Sequence, residues 1–322
     1  MIKTQKYIIV FIIFLAIGAV LFNLKHNFVE LPQAIGDPLE LIIIKNKGDF
    51  GDDFYKQLKD FLSIEINPSP QPEKILKLTE IDDSEFKGIL KRHQNLLFFA
   101  RADSFSINIH QNAFAKGQAA IYVKCPSTTV LKSKRKEIVQ LVQIIKNIEM
   151  QRMEMAFNNF RNQNLMQKIK QAHDFTIIIP KDFFLAYSDS SVTWVRRETP
   201  KISQGIVIAN LTSPINTNSS PMSFTIDSIL KDYVFGPSEN SYMKSEKEAP
   251  EIIDSIIINN SLAVRTQSLW RMENDFMGGI YHAYYFNNNF QPIIIYTYLY
   301  APGERKGVFL LQLESIINTS SF

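Results

Sequence analysis

Cysteine is almost absent from this chain of 322 residues, which contains only Cys125. A single cysteine excludes an intrachain disulfide and any metal site built from cysteine pairs. Its place at the end of an apolar run, directly before Pro126, indicates a small buried hydrophobic residue rather than a reactive thiol.

The usual signatures of catalysis and cofactor binding are also missing from the sequence. It contains no GxSxG, no HExxH, no Walker A lysine loop and no strand-borne GxGxxG. The five histidines have no metal-ligand spacing; they are His26, His93, His110, His173 and His282. We therefore expect neither a metal nor a cofactor, and the sequence identifies no biochemical activity.

Net charge is small, with a formal value of +3. Two of the positive charges, Lys3 and Lys6, precede a long apolar segment, so the rest of the chain is close to neutral. This balance argues against nucleic acid as a partner. A hydrophobic content of 45% with 12% aromatic residues is ample for packed cores.

The apolar segment covers residues 7–22, YIIVFIIFLAIGAVLF, and has no charged side chain. As a helix it would be about 24 Å long, somewhat short of a hydrocarbon core of about 30 Å. We predict that residues 7–22 insert into the membrane as a transmembrane helix. Because Lys3 and Lys6 keep the amino terminus in the cytoplasm, the bulk of the chain is expected in the periplasm, attached to the inner membrane.

Cleavage of this segment as a signal peptide is the alternative, which would release the protein into the periplasm. Ala16-Ile17-Gly18 supplies an imperfect cleavage site. The apolar residues continue to Phe22, however, where a signal peptide would turn polar, and this favours an uncleaved signal-anchor.

Hydrophobic periodicity predicts an α+β protein with two domains after the anchor. We divide the chain into the signal-anchor (1–24), a tether (25–38), a first α+β domain (39–130), a long connecting helix (131–173) and a second α+β domain (174–322). Both sheets are predicted to be mainly antiparallel. Asn259-Asn260 and Asn287-Asn288-Asn289 are typical of tight hairpin turns between strands.

The connecting helix is rich in lysine and arginine, and two interpretations remain open. Its basic residues can contact anionic headgroups beside the anchor, or they can form the solvated face of a helix that packs by its other side. A continuous helix over 131–173 would be long, so we also expect a break near Asn158-Asn159.

Polar residues near two glycines form the best candidate site. Strand alternation would place Arg271, Glu273 and Asp275 on one face, and Gly278 and Gly279 permit close backbone approach. We expect these residues and a second polar block to line a groove that binds an anionic or peptide ligand. The candidate residues are Arg196, Arg197, Glu198, Trp270, Arg271, Asp275, Gly278 and Gly279. The alternative is that arginine and acid pair across neighbouring strands while the glycines form a bulge or turn.

Several short blocks give the chain a family resemblance. They are Gly36-Asp37-Pro38-Leu39-Glu40, His93-Gln94-Asn95-Leu96, Trp194 to Pro200, Gly236-Pro237, Ser241-Tyr242-Met243, Leu269-Trp270-Arg271, Asp275 to Gly279 and Tyr300 to Gly303. In these blocks the chain resembles a family of Bacteroidota envelope proteins known as domain of unknown function 4837. Members of that family are mostly lipoproteins, which implies a lipid-modified cysteine after the signal peptide, but no cysteine precedes Cys125 here. The order of elements after residue 174 also resembles the PsbP-like fold, whose members bind partners more often than they catalyse.

These observations favour a membrane-anchored periplasmic protein that binds another envelope component, a protein partner, without catalysis. One alternative is an envelope hydrolase with a groove at Arg271, Asp275 and His282. Another is a carrier of a small apolar ligand that uses the aromatic residues between Tyr281 and Tyr300.

Overall fold

The computed structural model describes residues 30–215, 222–287 and 291–322, and it is an α+β protein with two sheets. The predicted transmembrane segment, residues 7–22, lies outside the described residues, as do residues 25–29 of the predicted tether and residues 288–290 at the tip of the second hairpin. Among the helices described from residue 30 onward, none has both the length and the apolar character that a bilayer crossing requires.

The first sheet has five strands and is mainly parallel. The strands are β1 (Glu40–Lys45), β2 (Lys77–Asp82), β3 (Asn95–Arg101), β4 (Ser106–Gln111) and β5 (Ala119–Cys125), in the spatial order β2-β1-β3-β5-β4. Only β4 pairs antiparallel. The prediction of a mainly antiparallel first sheet is therefore wrong, because the segments between β1, β2 and β3 cross over and return each strand in the same direction.

Helices cover one face of the first sheet. They are α1 (Asp52–Leu62), α2 (Thr128–Ser133) and α3 (Arg135–Asn159). Asp52 and Asp53 occupy the first turn of α1, where negative charge stabilises the helix dipole, and Phe54 and Leu58 are buried beneath it. Short 3-10 turns at Asp83–Glu85 and Gly88–Arg92 lie on the other face.

The connecting helix is broken at the predicted place. Helix α3 ends at Asn159, and α4 (Gln163–His173) begins after Asn162, whose side chain accepts a hydrogen bond from Leu165 N at 3.2 Å. Its basic residues do not form one continuous face, since Lys146 and Arg152 are paired with Glu314 and Glu149 inside the molecule.

The second sheet is antiparallel throughout, as predicted. Its strands are β6 (Phe184–Ser188), β7 (Val192–Glu198), β8 (Ser203–Asn210), β9 (Met243–Ser245), β10 (Ile252–Ile258), β11 (Ser261–Met272), β12 (Gly278–Phe286) and β13 (Ile293–Tyr300). They follow the order β10-β11-β12-β13-β8-β7-β6, with β9 pairing β11. Asn259 and Asn260, with φ of 43° and 67°, make the predicted turn between β10 and β11.

Helix α6 (Lys306–Asn318) packs against both domains. Its Leu311 belongs to the first core, whereas Leu310 and Leu313 belong to the core under the second sheet. At its start, the carboxylate of Glu73 accepts hydrogen bonds from the backbone N–H groups of Lys306 and Gly307, both at 2.9 Å. A residue of the first domain thus caps a helix of the second.

The other face of the second sheet is covered by α5 (Met222–Tyr233). Met222, Ile226 and Leu230 of α5 are buried against the sheet. The two faces therefore differ in role. One is joined to the first domain, and the other is bounded by a helix and a loop of the same domain.

Removing the Glu73 cap tests the joint between the domains. Glu73→Ala leaves two N–H groups at the positive end of α6 without their acceptor, so the free energy of unfolding should fall by about 1–2 kcal/mol. Urea denaturation of the full chain measures this loss. Glu65→Ala is the matched control, because Glu65 lies in the same loop in an exposed pair with Lys74 and should change stability by no more than about 0.5 kcal/mol. Equal losses for the two variants would contradict the capping role.

Candidate binding site

A cavity of about 350 Å³ opens at one end of the second sheet, on the face that α5 covers. It is lined by β7, β8, β9, β11 and β13 and by two loops. The lining residues are Trp194, Arg196, Glu198, Ser203, Val234, Phe235, Gly236, Pro237, Met243, Trp270, Met272, Met277 and Tyr298. Most of this lining is aromatic or contains methionine, so the cavity is apolar with a few polar groups at its edge.

Two glycines of the sheet leave room for the aromatic side chains that line the cavity. Gly205 of β8 pairs with Arg196 on one side and Tyr298 on the other, and the Tyr298 ring leans over it. A Cβ on Gly205 would lie 2.0 Å from that ring. Gly279 pairs with Trp270 in the same way, and a Cβ there would lie 2.0 Å from the carbonyl oxygen of Leu299. Close approach of the aromatic rings therefore requires glycine at both positions.

Hydrogen bonds fix the orientation of the aromatic side chains. Trp194 Nε1 donates to the Tyr298 hydroxyl at 3.2 Å, and Trp270 Nε1 donates to the Leu299 carbonyl at 3.3 Å. The Trp270 and Tyr298 rings meet edge to face, with centroids 5.6 Å apart. Burial raises the pKa of Tyr298 to about 12, so its phenol stays neutral at physiological pH.

Two loops that are tied together form the lip of the cavity. Ser238 Oγ donates to Asp275 Oδ2 at 3.0 Å, and Glu273 N donates to the Tyr242 carbonyl at 2.8 Å. Asn274 Nδ2 adds a third link, to the Asn240 carbonyl at 3.3 Å. These bonds hold Pro237 and Met277, on the two loops, at the cavity edge.

Arg196 and Glu198 are the charged residues of the cavity lining, and the side chain of Arg196 is about 30% exposed. Its guanidinium lies between the Phe184 and Trp194 rings, 5.5 Å and 5.4 Å from their centroids, and its Nη2 is 2.5 Å from Glu198 Oε1. Arg196 Nε is buried and has no hydrogen-bond partner among the described residues. An unsatisfied buried donor beside an apolar cavity is a site for an acceptor oxygen of a ligand.

Exposed phenylalanines surround the mouth of the cavity. Phe235 is 62% exposed, Phe184 is 45% exposed, and Phe276, next to Met277, is fully exposed. Exposed aromatic side chains beside an apolar opening are typical of surfaces that bind another molecule.

Three of the candidate residues from the sequence line the cavity: Arg196, Glu198 and Trp270. Asp275 and Gly279 support it, through the lip and under the Trp270 ring. Gly278 pairs with Arg271 in regular register beside them and is not part of a bulge.

The remaining candidates, Arg197 and Arg271, point elsewhere. Arg197 pairs with Asp182 at 2.6 Å on the opposite face of the sheet. Arg271 lies 3.4 Å from Glu246, which follows the neighbouring strand β9, in an ion pair of the kind that the alternative interpretation described, and 3.3 Å from Glu273, two residues further along its own segment.

The sequence reasoning missed Trp194, the three methionines, Ser203 and the loop residues Val234 to Pro237 of the lining. Strand alternation from Arg196 would have found Trp194, two residues earlier on the same face. Met243 and Met277 lie within the blocks that carry the family resemblance. Tyr298 was among the aromatic residues of the carrier hypothesis, but its position beside the tryptophans depends on pairing with Gly205.

The structure does not bring the hydrolase residues together. His282 pairs with Gln267 on β11, four residues before Arg271, which separates them by about 13 Å along the strand. Asp275 is held in the lip. Of the carrier aromatics, Tyr281 and Tyr296 are buried and stacked at 4.9 Å and are part of the core, whereas Tyr298 lines the cavity.

His282 instead belongs to a buried polar cluster between the domains, at a cleft of about 150 Å³. Its Nε2 accepts from the Gln267 amide at 3.1 Å, and its Nδ1 lies 3.6 Å from Glu314, which is 3.0 Å from Lys146 Nζ. Burial lowers the pKa of His282 to about 4. Burial also opposes ionisation of Glu314, but the Lys146 and His282 charges still leave its pKa lowered.

Acid should weaken the fold through His282. The unfolded chain takes up a proton near pH 6.5 and the folded chain only near pH 4, so stability is lost as the pH falls between these values, by up to about 1.4 kcal/mol per pH unit. His282→Gln should therefore approach the wild type in free energy of unfolding as the pH falls from 6.5 to 4.5. The control is His110→Gln, at an exposed histidine, whose free energy of unfolding should differ from that of the wild type by a constant amount over this pH range. A constant difference for His282→Gln as well would contradict this account.

Comparison with protein families identifies both halves of the chain. Residues 162–319 match the family described as Domain of unknown function (DUF4837), and residues 34–158 match Domain of unknown function (DUF8532). No curated protein matches. The Bacteroidota source, the lipoprotein character of the family and the PsbP-like fold go beyond these matches and stay predictions.

Among solved structures, the chain is weakly similar to the Ran-binding protein Mog1p of Saccharomyces cerevisiae, with 6% identity and a TM-score of 0.29 over 46% of this chain and 89% of that one. A mutant of Mog1 matches over the same shares at 7% identity and the same TM-score. Similarity at this level carries no functional argument. The family matches thus cover two separate regions of the chain, one similar to DUF8532 in the first half and one similar to DUF4837 in the second.

Proposed function

We propose that this protein is a membrane-anchored periplasmic protein that binds another envelope protein, without catalysis, through the cavity lined by Trp194, Arg196 and Trp270. The observation that carries the proposal is an apolar cavity with one unsatisfied buried donor, Arg196 Nε, at its edge. Residues 7–22 supply the anchor, and the DUF4837 domain supplies the binding surface. The PsbP-like fold predicted from the order of elements after residue 174 would agree with this role.

The cavity chemistry defines the ligand group. An apolar side chain of the partner fills the space between the tryptophans and methionines, and a carboxylate or carbonyl oxygen accepts from Arg196. Methionine side chains adapt to different shapes, so Met243, Met272 and Met277 allow more than one apolar residue to bind.

The mouth of the cavity favours a protein over a small molecule. The cavity is open, and the exposed Phe184, Phe235 and Phe276 extend the apolar surface beyond it. A small amphipathic anion is the second candidate ligand, because a volume of about 350 Å³ is within the range of small-molecule sites, about 300–1,000 Å³.

An aromatic sulfonate tests the cavity itself. The chain has two tryptophans, Trp194 and Trp270, and both line the cavity, so energy transfer from tryptophan to bound 1-anilinonaphthalene-8-sulfonate reports binding there. Arg196→Gln should weaken this binding about tenfold, because a charge-assisted hydrogen bond contributes about 1.5–3 kcal/mol. Arg271→Gln, at an exposed arginine outside the cavity, should leave it unchanged. Equal effects of the two substitutions would contradict the assignment of Arg196.

Photocrosslinking in membranes tests the protein partner. Benzoylphenylalanine in place of Phe235, at the lip, should give a discrete adduct between the full chain and one envelope protein. In place of Phe224, which is 76% exposed against 62% for Phe235 and lies outside the cavity, it should not. The adduct at 235 should also weaken in the Arg196→Gln background. If position 235 forms no protein adduct but the sulfonate binds, the small-ligand candidate replaces the partner.

A further inference from the structure

The second sheet ends in an apolar edge strand, β10. This strand pairs with β11 alone, and within the described residues no other strand lies beside it. Edge strands are normally protected against further pairing by lysine, proline or a bulge. The sequence of β10, IIDSIII, contains neither residue, and its register with β11 is unbroken. The strand itself therefore lacks the features that prevent another strand from pairing with it.

The hairpin turn determines which backbone groups of β10 point outward. Asn259 and Asn260 form a two-residue turn, so the adjacent pair, Ile258 and Ser261, exchanges hydrogen bonds. Hydrogen-bonded pairs alternate along an antiparallel ladder. The N–H and C=O groups of every second residue of β10 therefore face β11, and those of the residues between them face the free edge. The residues that face the free edge are Ile253, Ser255 and Ile257.

These residues also carry an exposed apolar surface. Ile253 is 55% exposed and Ile257 is 73% exposed, and both lie on one face because they are four residues apart on the strand. Leu262 pairs directly with Ile257, so it lies on the same face, where it is 66% exposed. The one charged residue of the strand, Asp254, is on the opposite face, and Arg265 Nε donates to its Oδ1 at 2.9 Å.

We infer that β10 pairs antiparallel with β10 of a second copy of this chain, with the two-fold axis at Ser255. The strand is nearly self-complementary about this residue. Ile253 lies opposite Ile257 of the second copy, and Ile252 lies opposite Ile258. The residues that face the free edge are thus paired with one another, so their N–H and C=O groups find acceptors and donors. Each copy contributes the same surface, as a two-fold interface requires.

The charges near the strand are compatible with this pairing. Glu251 lies opposite Asn259 of the second copy, and Asp254 lies opposite Ile256. The two Asp254 side chains are diagonal neighbours, and each is bound to Arg265 of its own chain. One strand pair is a small interface, below about 1,200 Å² in total, so we expect a reversible dimer of micromolar affinity. Because β10 does not line the cavity, this inference is independent of the proposed ligand.

Cysteine crosslinking of the full chain in detergent tests the register. Paired residues have Cα atoms about 5.5 Å apart, within the range of a disulfide, so Ser255→Cys should form a covalent dimer on oxidation. Ile257→Cys should not crosslink with itself, since the two copies of residue 257 are about 13 Å apart along the ladder. It should crosslink when mixed with Ile253→Cys. The wild type, in which Cys125 is buried, measures the background.

Sedimentation of the full chain in density-matched detergent tests the dimer itself. Between about 1 and 100 μM the wild type should pass from monomer to dimer. Ile257→Lys should raise the dissociation constant about tenfold or more, because lysine on an edge strand opposes pairing. The control Ile89→Lys, at a 65% exposed isoleucine of the first domain, should leave it unchanged.

A wild type that stays monomeric over this range, or equal effects of the two lysine substitutions, would overturn the inference. Oxidation of Ser255→Cys in native membranes that gives an adduct with a different protein, and none with itself, would overturn the second copy as the occupant of the edge.

Discussion

The position of helix α6 determines how the two domains are arranged. Both cores share this helix, because Leu311 faces the first domain while Leu310 and Leu313 face the second sheet. Its amino end is capped by Glu73 from the first domain. Further along, Glu314 bonds Lys146 of the long helix α3. Hydrophobic burial thus holds the domains together, and the buried polar contacts fix one relative orientation.

This arrangement separates the two faces of the second sheet. His282 lies on the face toward α6, next to Glu314 of that helix. Both side chains are buried between the domains, and their pKa values are shifted because of their environment in this interface. The opposite face is free of the first domain, and there the cavity opens between Trp194, Trp270 and the lip. His282 and Glu314 therefore lie away from the proposed binding site, whereas on the cavity face burial raises the pKa of Tyr298.

Local chemistry made part of the fold predictable from the sequence. The turn at Asn259-Asn260 needs residues that tolerate positive φ, and the helix break needs only the cap at Asn162. The parallel first sheet was not predictable in this way, because strand direction depends on how the connections cross. Arg196 and Arg197 are neighbours with opposite environments, and only register decides which one meets the cavity. The sequence grouped Tyr298 with the aromatic residues of a possible carrier, but its place above Gly205 was not predictable, since it comes from pairing between distant segments.

Hydrogen exchange on the full chain, compared between native membranes and the purified protein, tests the proposed binding site most directly. Partner binding at the cavity predicts slower amide exchange in native membranes for the two lip loops, residues 235–242 and 273–277, while the exposed edge strand β10 exchanges equally in both states. Unchanged exchange at the lip, with protection confined to β10 or to the first domain, would contradict the account.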